Sequence, residues 1–102
     1  MTKQPSRTIV TQTDQILITD LSKLLYMRGS VAQTLTGPIV DGNMGATPGF
    51  TVDVYNAGTQ PLTFRPTTGQ TVQGGADLTV ASQRGVRLTL APGGEDWIVI
   101  GS

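Results

Sequence analysis

The chain is expected to fold as a small all-β domain: an antiparallel β-sandwich or barrel, jelly-roll-like, with a short extended N-terminal arm. Three observations predict this. From Phe50 onward apolar residues alternate with Thr, Asp and Arg at period two. The 13 Gly and 6 Pro fall between these runs without any period of their own, as turn residues do. No stretch has the apolar spacing of a long amphipathic helix that could make a βαβ crossover. At 102 residues one domain is expected, with residues 1–8 as the arm and 9–102 as the β unit.

The elements follow in order. Residues 1–8, MTKQPSRT, are polar and interrupted by Pro5, which suits an extended arm. Alternation is partial between Ile16 and Met27, where a single helical turn is expected at residues 19–23, capped by Thr19 or Asp20, and then a strand at 24–28. Gly29 and Ser30 turn the chain into VAQTLT, with Val31, Gln33 and Leu35 on one side and Pro38 ending the pairing. Residues 39–49 form the longest loop. Phe50, Val52, Val54 and Asn56 then share one face of a strand, and Asn56, Ala57 and Gly58 turn it. Leu62, Phe64 and Pro66 occupy the next strand, which Thr67, Thr68 and Gly69 end. Val72, Leu78, Val80, Val86, Leu88, Leu90, Trp97 and Val99 carry the same rhythm to DWIVIGS, for eight to ten short strands in all.

Composition narrows the function. Aromatics are only 5% of the chain, so the core is built mainly from Val, Ile and Leu, and a thin core of this kind gains from association. Net charge is zero and 14% of residues are charged, which leaves no field to attract nucleic acid or anionic lipid; neither is an expected partner. Without cysteine the fold needs no oxidising compartment, and no apolar h-region or membrane-spanning run is present, so export by a signal peptide is not expected.

With neither His nor Cys, the imidazole base, the thiol nucleophile and the commonest metal ligands are missing, and no catalytic residue, metal or cofactor is expected. Glu95 and Asp96 are adjacent but sit in a turn, where two carboxylates do not face each other across a cleft. Asp41, Asp53 and Asp77 are isolated in sequence. DGNMG at residues 41–45 lacks the alternating oxygen ligands and final Glu of a calcium loop. The glycines at 69, 74 and 75 match no phosphate-binding motif. Arg84 and Arg87, with Arg65, offer guanidinium forks for carboxylate or sugar, against the plainer role of keeping a sheet surface solvated. Trp97 is expected at the end of the core, with Asp96 or solvent meeting its N–H.

The run GFTVDVYNAG, then LTFRP, TVQGGADLTV, VRLTL and DWIVIG, preceded by DLSKLLY and AQTLTGP, resembles the small β modules of tailed-bacteriophage virion proteins over residues 14–102. Such modules occur at tail-fibre ends and as capsid decoration proteins. This chain departs from them in joining Asp96 directly to Trp97, where many have an intervening Gly, and in the Gly-rich loop after Pro38.

The resemblance implies a structural virion protein, commonly a homotrimer, with no catalytic residues. The expected role is a capsid decoration or cement protein on the capsid exterior, made in the host cytoplasm and bound to the major capsid protein. The alternative is a tail-fibre tip or baseplate component recognising a host glycan; a chain with neither shaft nor attachment domain favours decoration. Contact residues are expected in the arm (Lys3, Pro5, Arg7, Ile9) and in the long loop (Asp41, Asn43, Met44).

Overall fold

A computed structural model describes residues 5–37, 49–67 and 69–101. The fold is all-β, with ten strands among the described residues: β1 Ser6–Ile9, β2 Thr13–Gln15, β3 Leu24–Met27, β4 Gln33–Thr36, β5 Thr51–Asn56, β6 Leu62–Arg65, β7 Thr71–Val72, β8 Leu78–Val80, β9 Arg84–Leu90 and β10 Asp96–Ile100. The expected helical turn is one 3-10 turn at Ile18–Asp20. Val31, expected inside β4, is half exposed before it, because pairing begins at Gln33. Residues 39–48 of the expected long loop lie outside the described residues.

Two sheets enclose one core. The larger runs β1-β3-β5-β9-β10-β7 and the smaller β2-β4-β6-β8, so from β1 to β8 the chain changes sheet with every strand. Each change is a β-arch, in which the second strand faces the first across the core instead of pairing beside it. Successive arches stack, and strands two apart in sequence therefore pair parallel: β1 on β3, β3 on β5, β2 on β4, β4 on β6. A parallel pair needs a long crossover, and here the crossover is a strand of the other sheet. β8, β9 and β10 then pair antiparallel on β6, β5 and β9, and β7 lies parallel to β10. Pairing is thus mixed, which corrects the expectation of an antiparallel fold. A short polar connection serves a hairpin or an arch equally well, and the local pattern does not distinguish them.

Two buried amides hold the arch corners. Gln33 Nε2 donates to the carbonyls of Ile9 (3.2 Å) and Thr11 (2.9 Å), and its Oε1 accepts from the Gly29 amide at 2.9 Å, joining the β1–β2 and β3–β4 corners. Asn56 does the same for the β5–β6 corner: Nδ2 donates to Gln60 O (2.8 Å) and Val80 O (3.0 Å), and Oδ1 accepts from Gly58 N at 3.1 Å. Satisfied in this way, the two amides avoid the cost of an unpaired polar group in the core. No buried side-chain nitrogen or oxygen among the described residues lacks a partner.

Trp97 is fully buried in the core. Its ring meets Phe50 and Phe64 edge-on, at 6.1 and 5.7 Å between centroids, the favoured T-shaped geometry. The same core takes in Leu25, Val52, Leu88 and Leu90 from the larger sheet and Leu35 and Leu62 from the smaller.

Candidate interaction surface

The outward residues of the larger sheet fall into rows set by the register. Leu24 pairs with Asp53, Asp53 with Arg87, and Arg87 with Ile100. Tyr26 pairs with Tyr55, and Tyr55 with Gly85. Thr51 pairs with Thr89, and Thr89 with Ile98. Each row lies outside because the alternate positions, Leu25, Val54, Val86 and Leu88 among them, point into the core.

The Tyr26 and Tyr55 rings stack at 5.9 Å with 15° between their planes. Tyr55 also covers Gly85: a Cβ on that glycine would come within 3.2 Å of Tyr55 Cδ1, so the missing side chain gives the ring room to lie along the sheet. The Tyr55 hydroxyl donates to Gln83 Oε1 at 3.1 Å. Beside this pair Arg87 donates to Asp53 from Nε (2.7 Å) and Nη2 (3.3 Å). Leu24, Tyr55, Gly85, Arg87 and Ile100 line a shallow groove of about 270 Å³ on this face. Tyr26, Ile98 and Ile100 are exposed, the last by 59%.

The outer face of the smaller sheet differs in kind. Thr13, Thr34, Thr63 and Thr79 stand in one register row across its four strands. Next to them Arg65 is tied to Asp77, Nε to Oδ1 at 3.1 Å. The outer face of the smaller sheet carries this threonine row, whereas that of the larger adds to Thr51 and Thr89 the exposed Tyr26, Ile98 and Ile100 around the Arg87–Asp53 ion pair.

The expected contact residues are scattered by the fold. Pro5 is exposed, but Ile9 is in the core. Arg7 turns inward: its Nη2 donates to Asp20 Oδ2 (2.8 Å) and Gln15 O (3.0 Å), Nε to Asp20 Oδ1 (3.2 Å), and Nη1 to Asp14 Oδ2 (3.3 Å). The hydrogen bond to Asp20 raises the Arg7 pKa further above its ordinary value, against the opposing effect of burial. Ser6, Arg7 and Thr8 are therefore strand residues paired with Leu24, Leu25 and Tyr26, and the boundary expected after residue 8 falls inside β1. Lys3, Asp41, Asn43 and Met44 lie outside the described residues.

Other expected groupings come apart. Arg65 and Arg87 sit on opposite sheets, each with its own aspartate, so no three-arginine cluster forms. Asp53 and Asp77 meet those arginines and not each other. The Trp97 N–H donates to Gln70 Oε1 at 3.1 Å, in place of the Asp96 or solvent partner expected. Asp96 instead accepts from Thr71 Oγ1 (2.6 Å) and the Gly74 amide (3.1 Å), and these hydrogen bonds lower its pKa. No group of three or more metal-ligating side chains occurs among the described residues. No helix among them is long and apolar enough to cross a membrane.

The stacked tyrosines escape a reading of the sequence because Tyr26 and Tyr55 are 29 residues apart and meet only through the parallel pairing of β3 on β5. The one local signal is that each is aromatic at a position where its strand faces outward. What this face can do is bind: it presents apolar area, one cation and one anion in fixed positions. No family model matches the chain, and no curated protein matches it.

Proposed function

We propose that this is a structural virion protein of a tailed bacteriophage, a decoration or cement protein that binds the outer surface of the major capsid lattice as a homotrimer. In this reading the two sheets are the layers of a β-sandwich, and the protein is made in the host cytoplasm and ends on the capsid exterior. The observation that carries the proposal is the exposed aliphatic and aromatic area on the outer face of the larger sheet, at Tyr26, Ile98 and Ile100. Exposed apolar area of this kind marks a contact surface. Many such contacts repeated by symmetry add binding free energy that only the assembled shell receives.

A second reading, a tail component that recognises a host glycan, draws on the exposed Tyr26 ring stacked beside Tyr55, since aromatic faces suit sugar rings. Quantitative mass spectrometry of purified particles separates the two. A ratio near one copy per shell subunit, or a simple fraction of it, is the expected result. A few copies per particle would move the protein to the tail, and absence from particles would overturn both readings.

A further inference from the structure

At the edge of the smaller sheet the core is open. β8 is joined to β9 by residues 81–83 alone, with Gln83 in the left-handed region at φ 63° and the Arg84 amide closing the turn on Ala81 O at 3.2 Å. The chain thereby passes from one sheet to the other at a tight corner. Between β8, β9 and the end of β10 lies a cleft of about 390 Å³.

Its walls are Leu78, Val80, Val86 and Val99, with Arg84 and Thr79 also lining it. The core is least covered here: Val86 has the highest exposure of the buried apolar set, at 8%, and Leu78 and Val99 are only partly buried. An apolar side chain in this slot would complete the packing.

Two further observations say what carries that side chain. β8 pairs with β6 alone and ends its sheet, so its middle residue, Thr79, points its N–H and C=O away from β6 at an open edge. Arg7, Arg65 and Arg87 each hold an aspartate, whereas Arg84 has no carboxylate partner among the described residues. Its guanidinium therefore offers a charge-assisted fork to an incoming anion.

We infer that the β8 edge and its cleft form a docking site for an extended acidic peptide segment. The segment adds as a strand beside β8, places one apolar side chain among Val80, Val86 and Val99, and brings a carboxylate to Arg84. Main-chain bonds along the edge supply affinity, while the slot and the arginine supply specificity. The inference concerns a different surface from the exposed face of the larger sheet and stands or falls apart from any place in a virion.

The test is a nuclear magnetic resonance titration of the full chain, labelled with nitrogen-15. One probe is a blocked hexapeptide of alternating threonine and valine carrying one aspartate, and the other is the same peptide with lysine in its place. Amide shifts confined to residues 78–86 and 99–101, with binding about tenfold or more weaker for the lysine peptide, are expected. Arg84 is exposed, so Arg84→Glu leaves the fold intact and is expected to reverse the preference between the two peptides. Equal binding of both peptides, no shifts at millimolar peptide, or shifts with sodium decanoate but neither peptide would each overturn the proposal.

Discussion

Arg7 grips the carboxylate of Asp20 through two hydrogen bonds, Nη2 to Oδ2 at 2.8 Å and Nε to Oδ1 at 3.2 Å, although 13 residues separate them. Asp20 is wholly buried, and the same carboxylate caps the 3-10 turn by accepting from the Leu17 amide at 2.8 Å. One ion pair therefore fastens β1 to the turn that leads into β3. Asp20→Ala is expected to lower stability by about 3 kcal/mol, because it strands a partly buried guanidinium. Arg7→Met combined with Asp20→Leu is expected to cost less than the two single losses added together. Urea unfolding curves of the three variants check this, and additive losses would contradict the coupling.

Gly58 marks a place where two backbones approach too closely for any side chain. A Cβ there would lie 2.8 Å from the Gly29 carbonyl oxygen and 3.3 Å from Asn56 Oδ1. Gly58→Ala is expected to push apart the β3–β4 and β5–β6 corners and to lower stability by about 2 kcal/mol. Gly93→Ala, where a Cβ meets nothing within 4 Å, is the control and is expected to leave the midpoint of thermal unfolding within a few degrees of the parent.

Gln70 is the partner of the only tryptophan. Gln70→Ala leaves the Trp97 N–H without its acceptor in a buried setting and is expected to cost about 1–3 kcal/mol. Trp97 fluorescence reports the unfolding directly, with emission expected to be blue-shifted in the native protein and to move to the red as the core opens. A variant as stable as the parent would show that this hydrogen bond contributes nothing.

Asp96 ties β10 to the turn after β7 in its charged form. Because its folded pKa is below the ordinary value, first through the Thr71 hydroxyl and then the Gly74 amide, its contribution is present above the unfolded pKa. That contribution is lost as pH falls through the folded pKa, below about pH 4. Protection of the residue 71–75 amides against hydrogen exchange, relative to the intrinsic rate at each pH, is expected to fall in acid more than protection in β5. Asp96→Asn is expected to weaken that acid dependence, and an unchanged profile would remove the carboxylate from the account.

Ile98 and Ile100 stand outside the core. Ile98→Ser and Ile100→Ser are expected to change folding stability by less than about 0.5 kcal/mol. If the larger sheet's outer face is the contact surface, the double variant loses co-purification with particles while its thermal unfolding is unchanged. Retained copy number with the double variant would move the contact elsewhere.

Much of the fold is legible in the sequence because strand alternation is a local property. Phe50, Val52, Val54 and Asn56 point inward as their spacing requires, and the strands through Phe64, Leu88 and Trp97 follow the same rule. Gln33 and Asn56 are legible as inward positions, although their work as corner amides is not, since their acceptors are backbone groups brought in by other arches. Arg7 in a polar stretch gives no sign of facing inward until Asp20 is seen beside it.

Residue identity and local spacing are enough for an all-β chain of short strands, for the inward set that fills its core, and for the lack of imidazole and thiol side chains. Each of these depends on residue identity or on spacing within one strand. Contacts between distant residues make the strands alternate between sheets and stack in parallel, bring Tyr26 to Tyr55, and set Arg84, which has no carboxylate partner among the described residues, beside an open slot. Those outcomes depend on whether a short connection turns back in one sheet or arches across the core, a choice set by contacts between residues far apart in the chain.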